Sequence, residues 1–195
     1  MKPTNVLARV LRAMTGLGLL NLNTHRSHRD ALSDEWSERE KTVQKLVPEG
    51  HSVIEFGAGK AILREYFLNR NFYVATDIVI RPQIDAVIDL DNPPLDLVDF
   101  DYGIALGVLE YLSDLDKALT FIGNKCQNLI FSYCENKPGI RNQIRRRLNG
   151  WRNHRSMQDL VHTLSDNHYD LVHIELLEKT RHFNQFLFMV TRTSS

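Results

Sequence analysis

The stretch His51-Ser52-Val53-Ile54-Glu55-Phe56-Gly57-Ala58-Gly59-Lys60 decides how this chain folds. Val53, Ile54 and Phe56 form a short apolar, β-favouring run around an acid, Glu55, and the chain then turns on two glycines one residue apart. From Ala61 to Asn69 the residues Ile62, Leu63, Tyr66 and Phe67 recur at helical spacing. A strand that passes through glycines into a helix is how a parallel sheet presents a nucleotide site, with glycines where a ligand must approach the backbone closely.

Upstream, Ser33 or Asp34 can cap a helix running to about Val47, with Trp36, Val43, Leu46 and Val47 on one face and Pro48, Glu49 and Gly50 as its stop. Downstream, Asn71 to Ala75 reads as a second strand ending in Thr76-Asp77. Only eight residues then separate Asp77 from Ala86. That is short for a parallel crossover, so the second helix is expected to shrink to a turn or two. Ala86–Ile88, Asp101–Leu106 and Asn128–Tyr133 give three further strands, with a helix from Asp114 to Lys125 capped by Ser113. After Tyr133 come a short amphipathic helix carrying Ile140, Ile144 and Leu148, and a second helix from Ser156 to Ser165. Two strands, Tyr169–Leu177 and Phe183–Thr191, close the chain with a hairpin-like link and should run antiparallel. Strands alternating with helices argue for an α/β parallel sheet.

The 195 residues, 43% hydrophobic and 25% charged, suit one domain with a sizeable core. The formal net charge is zero, so no global field favours nucleic acid or an anionic membrane. The two cysteines, Cys126 and Cys134, have neither metal-ligand spacing nor a disulfide framework, and suggest a reduced, cytoplasmic protein without a metal. Met14 to Leu22 is too short to span a bilayer. Leu7, Val10, Leu11 and Met14 instead mark an amphipathic helix, expected to pack on the domain. The organisation is therefore an N-terminal helical extension, residues 1–32, and a domain, residues 33–195, with an arginine-rich cap at 135–156.

Three glycine-loop chemistries compete. A phosphate-binding loop needs Gly-x-x-x-x-Gly-Lys-Ser/Thr, but Ile54 and Ala61 stand where the first glycine and the hydroxyl belong. A dinucleotide site needs a third glycine where Ile62 stands. A nucleoside ligand without phosphates remains. Asp77, twenty residues past Gly57, lies where an acid would hold ribose hydroxyls, or where one would cap a turn.

With these pieces in place, Val53-Ile54-Glu55-Phe56-Gly57-Ala58-Gly59 resembles the first motif of class I S-adenosylmethionine-dependent methyltransferases. Thr76-Asp77, Asp89-Leu90-Asp91, Phe100-Asp101-Tyr102 and Leu106-Gly107-Val108-Leu109-Glu110-Tyr111-Leu112 follow in the family's order, and Trp36 to Thr191 is covered. Within the family the likeness is, more loosely, to MetW-type small methyltransferases. The resemblance implies a Rossmann-like three-layer sandwich with a mostly parallel seven-stranded sheet whose last strand is antiparallel. It implies S-adenosyl-L-methionine as cofactor. Glu55 and the backbone of Gly57, Ala58 and Gly59 would hold its methionine end, and Leu106-Gly107 would face the same portion. Asp77 would bind the ribose, Ile78 would pack on the adenine, and Asp89, with the Leu90 backbone, would meet the adenine amino group. Ala61 replaces a glycine, adding a methyl, and Tyr111 replaces a frequent histidine.

Methyl transfer from a sulfonium is a direct displacement that needs alignment more than a protein nucleophile. A hydroxyl acceptor would add a need for a base, for which Glu110, Tyr111, Tyr133 and His154 are the candidates. Each has a plainer reading: Glu110 as a cap, the tyrosines as pocket walls, His154 as a solvated loop residue. Arg141, Arg145, Arg146, Arg147, Arg152 and Arg155 suit an anionic small-molecule acceptor, and equally a solvated face. An RNA backbone ranks lower, since no RNA-binding module accompanies them.

Overall fold

The computed structural model describes residues 37–137 and 139–193. The N-terminal amphipathic helix, the 1–32 extension, Ser33, Asp34 and Trp36 lie outside them, as do the side chains of Ile140, Arg141 and Arg145.

The described elements run α1 (Ser37–Leu46), β1 (Ser52–Phe56), α2 (Arg64–Phe67), β2 (Phe72–Asp77), β3 (Ala86–Val87), β4 (Phe100–Leu106), a 3-10 turn (Leu109–Tyr111), α3 (Leu115–Lys125), β5 (Cys126–Cys134), α4 (Ile140–Leu148), α5 (Met157–Asp166), β6 (Tyr169–Lys179) and β7 (Asn184–Arg192). Among the described residues the strands form one seven-stranded sheet of order β3-β2-β1-β4-β5-β7-β6. The pairings among β1 to β5 are parallel, while β7 runs antiparallel to both β5 and β6.

Alternation along the strands sends successive side chains to opposite faces. Ile54, Phe56, Phe131 and Phe188 pack with Leu119 and Ile122 of α3 and Leu160 and Leu164 of α5. Val53, Ala75, Ile104, Ile130 and Leu187 pack with Val43 of α1 and Val47 just beyond it, and with Leu63 just before α2 and Phe67 of α2. Phe131 and Phe188 stack across the antiparallel seam with centroids 4.8 Å apart. Helices on both faces make the expected three layers.

Three local expectations are corrected. The helix read from Ala61 to Asn69 is regular only over Arg64–Phe67. Ala61 sits in left-handed backbone at φ 51°, so a right-handed helix cannot begin there. Its methyl is therefore not the only departure from glycine; the conformation itself favours glycine. The cap of α3 is Asp114, which accepts the Lys117 N–H at 3.0 Å, rather than Ser113. Ser113 instead gives its N–H to Asp91 at 2.8 Å. The third strand is two residues long and ends at Val87 rather than Ile88. The crossover before it holds no helix, only a turn closed by Ile84 N–H on the Arg81 carbonyl at 2.9 Å. Ser156 begins α5 as expected, in a reciprocal capping box with Asp159.

Candidate cofactor site

The parallel strands β1, β2 and β4 deliver three loops to one edge of the sheet. Gly57 (φ 69°), Gly59 (φ 58°) and Gly107 (φ 65°) are all left-handed, where an L side chain is strained. The loops after β1 and β4 touch: a Cβ built on Gly57 would lie 2.4 Å from Val108 Cγ2. Gly57 is thus required by both its backbone and its neighbour.

Asp77 at the end of β2 braces the glycine loop. Its Oδ2 accepts the Gly59 N–H at 2.9 Å, while Ala58 N–H reaches the Thr76 carbonyl at 2.8 Å. Gln83, in the short crossover, donates to the Gly59 carbonyl at 2.8 Å. Ile78 follows Asp77 with 49% of its surface exposed, an uncovered apolar wall beside the carboxylate. Asp89 is exposed and caps its own turn, accepting from Asp91 N–H and Asn92 Nδ2, each at 3.0 Å. Leu90 sends its side chain into the core.

Glu55 is buried and accepts a hydrogen bond from Tyr73 on β2. Burial pushes its carboxyl up to about 8, with the Tyr73 bond opposing the rise. Leu106-Gly107 is set from below: Gly107 N–H donates to Ser132 Oγ at 2.8 Å, and Arg39 of α1 donates to the same oxygen at 3.3 Å.

The structure engages most of the candidate bases. Tyr133 is buried; its hydroxyl donates to Asn153 Oδ1 at 2.7 Å and accepts the Arg155 N–H at 2.9 Å. Burial raises the phenol above its ordinary range, and both of its hydrogen bonds stay within the chain. His154 is likewise engaged. Its Nδ1 accepts from Arg146 Nε at 3.1 Å, which places the neutral ring's proton on the other nitrogen and uses its lone pair. Burial, then Arg146 and Arg147, lower its pKa. Glu110 caps the end of β5, its Oε1 accepting the Cys134 N–H at 2.8 Å. Its Oε2 is buried and without a hydrogen-bond partner among the described residues. Tyr111 is half-buried at the end of the 3-10 turn, near Gly150.

One arginine of the cap, Arg146, is internal. It donates to the carbonyls of Cys134 (2.7 Å), Glu135 (3.3 Å) and Asn153 (3.1 Å), and lies over the Trp151 ring at 4.6 Å. Arg152 donates to Ser113 Oγ at 2.6 Å, and Arg155 pairs with Asp116 at 3.0 Å. Arg147 is exposed. Arg39, Arg81, Gln83, Ser132 and Asn153 shape the site but were not among the expected residues. Arg81, four residues past Asp77, was the one with a readable signal, being at ion-pair spacing in a turn.

No family model and no curated protein matches the sequence. Solved structures do match at low identity. Magnesium protoporphyrin IX methyltransferase from Synechocystis, with SAH bound, superposes with a TM-score of 0.61 at 15% identity over 80% of this chain and 83% of its own. A methyltransferase-class protein from Bacillus halodurans gives 0.66 at 9% identity over 80% of this chain and 98% of its own. The cyclase SpnF gives 0.64 at 12% identity over 81% of each chain. Sheet order and these neighbours together define a doubly wound α/β architecture with an antiparallel closing hairpin. This chain has the fold of the class I S-adenosylmethionine-dependent methyltransferases.

Among the described residues no helix is long and apolar enough to cross a membrane, and no three His, Cys, Asp or Glu side chains gather to hold a metal ion.

Proposed function

We propose that the protein is an S-adenosylmethionine-dependent methyltransferase acting on a small acceptor. The observation that carries this reading is the convergence of left-handed Gly57, Gly59 and Gly107 on one sheet edge, braced by Asp77. The residues fit the cofactor. The left-handed glycines at 57, 59 and 107 would present bare backbone to its amino acid end, Asp77 would offer an acceptor for the ribose, and exposed Ile78 would offer a face for the adenine. The cofactor supplies an activated methyl group; this chain's residues bind, orient and exclude water.

Tyr133 and His154 are occupied by internal hydrogen bonds, which favours an acceptor that is already nucleophilic, such as an amine or a thiolate. Arg146 is buried on backbone carbonyls, and Arg152 and Arg155 have partners within the chain, which weakens the case for an anionic acceptor or an RNA backbone. The decisive experiment is isothermal titration with S-adenosylhomocysteine. Wild-type protein should bind, and Asp77→Ala should bind at least roughly tenfold more weakly through loss of a charged hydrogen bond. No wild-type binding sinks the proposal.

A second reading has one specific support: the cyclase SpnF shares the fold. Under it the chain binds the cofactor and serves a role other than methyl transfer. Cofactor binding with no labelled product from a metabolite extract and methyl-labelled cofactor would favour this reading; a single labelled product would remove it.

A further inference from the structure

Asp77 already has two hydrogen-bond donors and a buried cation against it. Gly59 N–H reaches Oδ2 at 2.9 Å, Val79 N–H reaches Oδ1 at 3.0 Å, and Arg81 Nη1 lies 3.2 Å from Oδ1. A carboxylate offers about four lone-pair sites. Val79 N–H bonds Oδ1 and the Arg81 guanidinium crowds the same oxygen as an ion pair, while Gly59 N–H takes one site on Oδ2, so the carboxylate stays open chiefly at Oδ2. A ribose presents two neighbouring hydroxyls, and gripping both in a bidentate manner needs room on both oxygens.

Arg81 is not a surface cation resting near an acid. Its side chain is 4% exposed, and that of Asp77 is 12% exposed. Its backbone carbonyl closes the crossover turn by accepting the Ile84 N–H at 2.9 Å, and Nη1 also lies 3.4 Å from the Val79 carbonyl. A guanidinium stays charged at any ordinary pH, and separating a buried pair strands a charge, so a ligand hydroxyl does not easily displace it.

We propose that Arg81 is a specificity-determining residue at the nucleoside end of the site: by holding Asp77 Oδ1, it restricts the carboxylate to one ribose hydroxyl. The inference rests on the cofactor reading above. Its consequence is an asymmetry between the two hydroxyls that a bare carboxylate would not impose. The protein should tolerate loss of one hydroxyl and not the other.

The test is calorimetric titration of wild-type protein with S-adenosylhomocysteine and with its 2′-deoxy and 3′-deoxy forms. One deoxy form should bind roughly tenfold or more weakly, as expected for a lost hydrogen bond to a charged group, and the other within about threefold of the parent. Equal weakening of both, or of neither while the parent binds, overturns the inference and leaves the cofactor reading standing. Failure of the parent itself to bind overturns the cofactor reading, and the inference falls with it. In Arg81→Gln, checked for folding by circular dichroism, Oδ1 is released and the tolerated deoxy form should now weaken as well. An unchanged pattern in that variant also overturns the assignment to Arg81. If Arg81→Gln does not fold, the wild-type comparison decides alone, supported by Arg81→Lys, which keeps a cation and should keep the asymmetry.

Discussion

Arg39 of α1 donates to Ser132 Oγ at 3.3 Å across 93 residues of sequence, and the Gly107 N–H reaches the same buried oxygen at 2.8 Å. One hydroxyl therefore ties a helix on the sheet's face to the loop that follows β4. Ser132→Ala would leave a buried N–H and lose a guanidinium contact, at a cost of roughly 2–4 kcal/mol. Urea unfolding should show that loss, and titration should show weaker S-adenosylhomocysteine binding. Unchanged values in both would dismiss the link.

Glu55 makes stability depend on pH. Its folded pKa of about 8 exceeds that of the unfolded chain, so the native state holds an extra proton between the two values. The stabilisation is fully present below the unfolded value, about 4.3, and is lost as pH rises through the folded one. Glu55→Gln should therefore flatten the fall of Tm between about pH 5 and pH 8. Parallel slopes for the two proteins would contradict this.

Ala61 offers a test of opposing terms. Glycine there would relieve a left-handed strain of about 1–2 kcal/mol. It would also give up a buried methyl worth about 0.8 kcal/mol and add freedom to the unfolded chain worth about 0.4–1 kcal/mol. Ala61→Gly should consequently stay within about 1 kcal/mol of wild type, by the same balance. Ala61→Val, β-branched and buried at positive φ, should cost more than about 2 kcal/mol. Chemical denaturation of the pair gives the comparison.

Arg146 holds the cap closed on the body. Arg146→Met would strip donors from the Cys134, Glu135 and Asn153 carbonyls and should destabilise the fold by about 3 kcal/mol or more. The same change removes a positive charge from His154, whose pKa should rise in an NMR titration, while burial keeps it below the ordinary value. No movement of the His154 titration would refute the contact.

Tyr133→Phe separates structure from chemistry. The variant loses bonds to Asn153 and the Arg155 N–H, and should be less stable by about 1–3 kcal/mol. If methyl transfer is found, the shape of its pH profile should not change. Loss of a basic limb in that profile would restore Tyr133 as a proton acceptor.

The sheet was legible from the sequence because each strand has its own apolar run and each turn its own glycine, proline or acid. Val53 to Gly59 and Phe100 to Gly107 could be placed from such local signals. Asp77 could be placed by its distance from Gly57. The partners that occupy these groups could not. Arg39 meets Ser132, Gln83 meets Gly59 and Tyr133 meets Asn153 only after the chain has folded, and no local pattern encodes those meetings. For the same reason Arg146 looked like part of a charged surface, since an arginine reads alike whether it faces water or its own carbonyls. Ala61 looked like a mild substitution because composition reveals an added methyl but not a backbone angle.

Gly59 is held on both sides, its N–H by Asp77 and its carbonyl by Gln83. The segment between those two side chains therefore acts as a ruler as well as a connection. Its length fixes how far the Gln83 amide stands from the Asp77 carboxylate, which β2 already holds beside the glycine turn. An ordinary crossover helix would have to preserve that distance by other means. Here a single residue inserted between Asp77 and Gln83 would shift one jaw of the clamp against the other while leaving every strand in place.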